Sequence, residues 1–283
     1  MTVTGANDSI IDGTINSTIT VSVVDVSSDD NFDAVANQTV SVSTTDNDTA
    51  GFTIAQSGGS TSVSEDGTTD TFTVVLNAQP ASDVVLTITS GDTGEATVNS
   101  PLTFTAANWD SAQTVTVTGV DDNIIDGTIT STITIAVDDA NSDNNFDPVA
   151  DQTVSATTTD DDVAGFTVAQ TDGSTSVAET GATDTFTVVL NAQPVSDVVL
   201  TITSSDTGEA TVNSPLTFTN ANWNSAQTVT VTGVDDNLVD GTITSTITIT
   251  VDDASSDNDF DPVADQTVST TTTDDDSAGF TVV

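Results

Sequence analysis

A short run, Thr157–Phe166 (TTTDDDVAGF), is met three times along the chain and fixes its organisation. It appears earlier as Thr44–Phe52 (TTDNDTAGF) and later as Thr271–Phe280 (TTTDDDSAGF). Counted on the phenylalanines, 166 − 52 and 280 − 166 both give 114, and Trp109 and Trp223 repeat the interval. Self-similarity at a fixed spacing is the mark of a tandem array. A unit of this size is a normal domain with its own core. The repeat predicts two full units, 50–163 and 164–277, preceded by the last part of a unit at 1–49 and followed by the start of another at 278–283. This is the pattern of a window cut from a longer array.

Period-two alternation runs through each unit, and no sustained helical spacing is present. Phe72, Val74 and Leu76 point one way, as do Val84, Leu86 and Ile88, and Val115 and Val117, with threonine as the usual outward partner. In unit 50–163 the alternation predicts strands over 51–56 continuing as 60–65, then 70–77, 83–90, 96–105, 113–120, 127–137 and 151–159. Gly58-Gly59, Pro80, Gly91, Gly94, Pro101, Gly127 and Pro148 fall in or near the turns. Seven short strands with this turn spacing predict an all-β fold of immunoglobulin-like, seven-strand antiparallel sandwiches joined end to end.

Charge narrows the function. The chain has no Lys, Arg or His against 44 acidic residues, a formal net charge of −44. Nothing in it can neutralise phosphates, so neither nucleic acid nor an anionic membrane surface is expected as a partner. Without His, Cys, Lys, Arg or Tyr, most nucleophile and base arrangements are unavailable, so no enzyme is expected. The absence of cysteine rules out a disulfide framework, and the absence of lysine rules out Lys–Asn cross-links. No apolar run reaches the roughly 18 residues of a membrane span.

The acids are placed unevenly. In an antiparallel sandwich alternate strands end at the same pole, and each such end carries acid. Glu65 follows the second half of the first strand, Asp92 the third and Asp121 and Asp122 the fifth, with Asp126 closing that loop. Asp160, Asp161 and Asp162 follow the last strand. Unit 164–277 repeats the set as Glu179, Asp206, Asp235, Asp236, Asp240, Asp274, Asp275 and Asp276. The partial unit keeps Asp8, Asp12, Asp46 and Asp48, with Asn7 and Asn47 where the others have Asp. Two carboxylates about 4 Å apart repel by roughly 1 kcal/mol in water and about 4 kcal/mol at an effective dielectric of 20. With no base available, either these acids are solvated turns or a cation relieves them. Four converging clusters, repeated across units, favour several Ca²⁺ ions at the inter-domain joints. Ca²⁺ takes 6–8 oxygen ligands in flexible geometry, whereas Zn²⁺ and most transition metals want His or Cys.

At the opposite pole the long acidic loop 138–152, with Asp143 and Asp147 around Phe146, is read as a solvated loop pinned by Phe146, with a second cation site as the alternative. Trp109 and Trp223 are expected to seal the end of a core rather than stack on a sugar. Asn-x-Ser/Thr triplets at Asn7, Asn16, Asn37 and Asn47 are read as incidental in so threonine-rich a chain.

The run LTFTAANWDSAQTVTVTGVDDN, the closing TTTDDD and the Glu of STSVSE resemble Calx-beta repeats, in the bacterial tandem form of large surface and secreted proteins. The resemblance covers both full units and both partial ones. It implies a seven-strand sandwich binding Ca²⁺ at one pole through Glu65, Asp92, Asp121, Asp122 and Asp160–Asp162, and through their equivalents in the next unit. Asn7 and Asn47 depart from that pattern. Such repeats are usually stalks and adhesive spacers, and one branch serves as an intracellular calcium sensor in ion exchangers. The expectation is an extracellular or cell-surface array, a calcium-stiffened fibre, filament or adhesin stalk. Its partners are neighbouring repeats of the same chain and further copies in a fibre. The alternative is an adhesive module whose threonine faces meet carbohydrate, ice, a cell surface or another copy.

Overall fold

The computed structural model describes residues 1–281 and is nearly all β. The chain divides into two units, one of residues 1–121 and 129–159, the other of 122–128 and 160–283. The expected all-β sandwich architecture is what is found.

The first unit opens with a hairpin, β1 (Ile15–Val21) paired antiparallel to β2 (Gln38–Thr44). A two-sheet sandwich follows. Strands β3 (Phe52–Gln56), β5 (Thr69–Leu76), β9 (Gln113–Gly119) and β7 (Ala96–Val98) form a four-stranded sheet in the order β3-β5-β9-β7. Strands β4 (Thr61–Ser64), β11 (Gln152–Thr159), β10 (Ile129–Val137), β6 (Val84–Ser90) and β8 (Leu102–Phe104) form the facing sheet in the order β4-β11-β10-β6-β8. The inward residues of the alternation make the core, where Phe72, Phe104, Phe146, Leu86, Ile133 and Ile135 are fully buried. Each such side chain contributes about 2 kcal/mol of apolar transfer energy.

The second unit repeats this arrangement. Its four-stranded sheet runs β12 (Phe166–Gln170), β14 (Thr183–Leu190), β18 (Gln227–Gly233), β16 (Ala210–Val212). Its five-stranded sheet runs β13 (Thr175–Ala178), β20 (Gln266–Thr273), β19 (Ile243–Val251), β15 (Val198–Ser204), β17 (Leu216–Phe218).

Two strands read as continuous are divided between the sheets. The first breaks at Ser57–Gly59, where Gly58 and Gly59 take φ of +62° and +85°. Beyond the break, β4 joins the facing sheet and runs parallel to β11, the one departure from antiparallel pairing inside this sandwich. The fourth breaks at Asn99–Pro101. Pro101 has no N–H for a ladder, the Ser100 Oγ accepts from the Ile88 amide at 2.9 Å, and β8 crosses to pair with β6.

Outward strand positions are almost free of charge. Of the 44 acidic residues, all but Asp70 and Asp184 lie outside the strands. Across β5 and β9 the outward pairs are Thr69–Thr118, Thr71–Thr116 and Thr73–Thr114. Trp109 packs against the core, and its carbonyl accepts from the Leu76 amide at 3.1 Å. Of the last stretch, 278–283, residues 278–281 form no strand and 282–283 lie outside the described residues.

Candidate metal centre

In the second unit the parallel pairing of β13 with β20 decides the site. Ala178 sits opposite Thr273, so both strands end at one pole and hand over to Glu179 and to Asp274–Asp276. The Glu179 amide donates to the Thr273 carbonyl at 3.1 Å. This approach requires Gly233 at the end of β18. A Cβ there would lie 2.1 Å from the Ala178 carbonyl oxygen. Glu209, the residue before β16, reaches the same pole from the strand that begins there. Its carbonyl accepts from the Val234 amide at 2.8 Å and from the Thr272 hydroxyl at 3.4 Å. Asp240 comes from the loop between β18 and β19.

These side chains close into two groups sharing one member. Glu179, Glu209 and Asp240 bring carboxylate oxygens within 4.8 Å of one another, and so do Glu179, Asp274 and Asp276. Glu179 is 1% exposed and Glu209 6%. Both Glu179 oxygens, Glu209 Oε2 and Asp276 Oδ2 are buried and make no hydrogen bond of normal geometry.

The electrostatics follow from this packing. Burial pushes the Glu179 carboxyl above its ordinary pKa of 4.5. The Asp275 amide bears on it in the other direction, and Asp274, Asp236 and Asp240 add to the rise. Glu209 is raised by burial first, then by Asp240, Asp206, Asp236 and Asp274. Asp276 is raised by burial, then by Asp274, Asp275, Asp235 and Asp236. Asp274 moves the other way, because the Gly241 amide donates to its Oδ2 at 2.8 Å and the Asp276 amide to its Oδ1 at 2.7 Å. Asp274 thus fastens the loop and the acidic tail together.

The donors are all carboxylate oxygens, with no nitrogen or sulfur, and the chain supplies no side-chain cation. Such a set fits Ca²⁺, which takes oxygen ligands in irregular numbers. Glu179, Glu209, Asp240, Asp274 and Asp276 would hold it, and the shared Glu179 suits two adjacent ions.

Other expected ligands stand outside the close groups. Asp206 is exposed and turns its Oδ1 to the Gly208 amide at 3.0 Å. Asp236 Oδ1 takes the Leu238 amide at 2.6 Å. Asp235 and Asp275 are exposed.

One repeat earlier the same positions are Glu65, Glu95, Asp126, Asp160 and Asp162. Glu65 and Glu95 are buried, and the Glu95 carbonyl accepts from the Val120 amide at 2.9 Å. Asp160 takes amides from Asp126 at 3.1 Å, Gly127 at 2.9 Å and Asp162 at 2.7 Å. Asp92 Oδ1 is engaged by the Gly94 amide at 3.0 Å and Asp122 Oδ1 by the Ile124 amide at 2.6 Å, while Asp121 and Asp161 are exposed.

In 1–49, Asp8, Asp12, Asp46 and Asp48 line one open cleft. Asp46 is lowered by the Asp48 and Gly13 amides, and Asp48 is raised by burial and then by Asp46, Asp8 and Asp12. No glutamate occurs in 1–49, so that cleft lacks counterparts of Glu179 and Glu209.

Glu95 and Glu209 were not read from the sequence as ligands. The signal was available: a strand that starts at a pole contributes its preceding residue there, just as a strand that ends there contributes its following one.

At the opposite pole Phe146 is buried, as the pinned-loop reading has it, and Asp143 serves backbone amides. Asp143 is buried, but its Oδ2 accepts from the Ala81 and Ser82 amides at 2.7 and 3.0 Å, and its Oδ1 from Asn145 at 3.0 Å. Asp147 is exposed, and among the described residues no group of three acids closes there. Asp143 is a clip joining the 78–83 turn to the long loop, and Asp257 repeats it on the Ser196 amide at 2.8 Å.

Comparison with known proteins adds little to this geometry. No family model matches the chain, and no curated protein matches it. Among solved structures, the chain is similar to the calcium-binding domain CBD12 of CALX1.1, at 13% identity over 70% of this chain and 79% of that one, with a TM-score of 0.28. It is similar to the apo form of the Calx CBD1 domain, at 13% identity over 39% and 98%, with a TM-score of 0.29. Domains 4 and 5 of the S-layer protein SbsC align at 16% identity over 80% and 99%, with a TM-score of 0.33. Among the described residues no helix is long and apolar enough to cross a membrane.

Proposed function

We propose that the chain is a run of calcium-binding β-sandwich repeats from an extracellular or cell-surface array, in which bound ions stiffen the joint between successive repeats. One observation carries the reading: Glu179 is buried and shared by two carboxylate groups, in a chain without a basic side chain. An unpaired buried carboxylate is costly, and divalent cations are the available relief. The acidic tail that supplies Asp274 and Asp276 is also the linker out of the sandwich, so an ion there fixes the direction in which the chain leaves. The corresponding units are 50–163 and 164–277, and a fibre or adhesin stalk is the setting such an array serves.

The test is calorimetric titration of the chelator-treated chain with CaCl₂ and MgCl₂, paired with small-angle scattering. Saturable calcium binding, preferred over magnesium, should raise Tm and narrow the distribution of distances within the chain. Absence of saturable binding at millimolar calcium refutes the metal; binding with an unchanged scattering profile refutes the stiffening.

A further inference from the structure

The loops before β1, between β9 and β10, and between β18 and β19 each carry an apolar pair: Ile10-Ile11, Ile124-Ile125 and Leu238-Val239. Two of these pairs are occupied. In the first unit the Gln79 amide donates to the Ser9 carbonyl at 2.7 Å, and the Ile11 amide returns a bond to the Gln79 carbonyl at 3.3 Å. Ile10 and Gln79 form a parallel bridge, and Ile11 packs against the core of the sandwich. In the second unit the Gln193 amide donates to the Asn123 carbonyl at 2.6 Å, Ile124 bridges Gln193, and Ile125 packs against the core. In both, the receiving turn reads Asn-Ala-Gln-Pro, at 77–80 and at 191–194.

The third pair faces solvent, with Leu238 63% and Val239 57% exposed. Its loop is nevertheless set in the same form. The Leu238 amide bonds Asp236 Oδ1 at 2.6 Å, as Ile124 bonds Asp122 at 2.6 Å and Ile10 bonds Asp8 at 3.0 Å. Gly241 takes φ of +80° and donates to Asp274, as Gly127 does at +74° to Asp160 and Gly13 at +71° to Asp46. A surface shaped before its partner arrives loses little freedom on binding.

We infer that Asn237–Val239 is a docking element for a further sandwich of this repeat type, one that presents a free Asn-Ala-Gln-Pro turn. A second copy of this chain does not qualify, since both of its turns are already covered. Ala278-Gly279-Phe280 repeats Ala50-Gly51-Phe52 and Ala164-Gly165-Phe166, and the Gly51 and Gly165 carbonyls accept from the Asn77 and Asn191 amides that open the two turns, each at 2.9 Å. The contact is apolar and backbone-bonded, so it operates without metal.

The chain has no cysteine, which makes single-thiol labelling direct. In EDTA, Val239→Cys should react with a thiol reagent at the rate of an exposed cysteine, and Ile125→Cys at least about tenfold slower. Equal rates at the two positions overturn the inference. Extending the Val239→Cys chain past Val283 with a copy of residues 170–277 should slow its labelling by about tenfold or more. The same extension carrying Gln193→Pro in the copied turn, which removes the donated N–H, should label fast. An added repeat that melts cooperatively but gives no protection overturns the inference. So does protection by an excess of the unextended chain, which would make the surface an interface between copies. Because chelator is present throughout, failure here is separate from failure of the calcium reading.

Discussion

Gly233→Ala tests the placement of Glu179 directly. Gly233 lies outside the left-handed region, so alanine meets no backbone strain there; the obstacle is steric. The new Cβ would lie 2.1 Å from the Ala178 oxygen and 2.7 Å from its carbonyl carbon. Ordinary contact begins at 3.4 Å, so the end of β13 must retreat by about 1.3 Å (3.4 − 2.1). Overpacking of this kind costs about 1–3 kcal/mol, on the order of 10 °C in Tm for a domain of this size. Glu179 is the next residue, and Ca²⁺–oxygen bonds span only about 2.3–2.6 Å. A displacement of this size removes the shared ligand and should weaken calcium binding by about 10–100-fold, as loss of a supporting residue does. The assay is calorimetric titration beside a melt in chelator, with Gly173→Ala as control. That control has φ of +81° and nothing within 4 Å of its Cβ, and it lies at the far end of β13 from Glu179, so it costs about 1 kcal/mol of strain without touching the site. A Gly233→Ala protein that melts lower yet binds calcium unchanged refutes the placement of Glu179 as a ligand. One that is unchanged in both refutes the close approach itself.

Three further outcomes are expected. Glu209→Gln should raise Tm in chelator, because it removes a buried like charge, and lower Tm in calcium, because it removes a ligand; paired melts read both. The pH dependence in chelator follows from the raised groups. Glu179, Glu209 and Asp276 contribute stability present below their ordinary values of 4.5, 4.5 and 3.8 and lost as pH rises through the raised ones. The metal-free protein should therefore melt higher as pH falls from neutral towards those ordinary values, and the lowered Asp274 reverses the trend only as pH falls below about 3.8. Saturating calcium should invert the upper part of that profile, since protons and the ion compete for the same oxygens. Asp143→Ala strands three backbone amides at the opposite pole and should cost about 3 kcal/mol in a denaturant melt, with calcium affinity unchanged.

The sandwich was legible because alternation and turn spacing are local. Phe72, Val74 and Leu76 alternate against threonine, and that alone places them inside. The two divided strands were not legible, because nothing in the composition of 96–105 shows that the Ser100 hydroxyl would take the Ile88 amide and send Leu102 to the other sheet. The pole was found by strand parity, which counted the ends of strands and passed over their beginnings; Glu95 and Glu209 were missed for that reason. Asp92 and Asp206 look like ligands in a list of acids, yet each satisfies its own turn through Gly94 or Gly208. Asp143 shows the converse: an acidic loop residue can be buried for the sake of amides rather than a cation.

The segregation of acid from strand also bears on the chain before it folds. Three Val- and Thr-rich strands of the first sandwich, segments prone to pair with their like, are bracketed by aspartates: Asp83 and Asp92 around β6, Asp110 and Asp121 around β9, Asp126 and Asp138 around β10. Charges flanking such segments act as gatekeepers against aggregation. Near-identical domains in tandem risk pairing a strand with its twin in a neighbour, and these aspartates repel the mispaired register while leaving the sheet faces neutral.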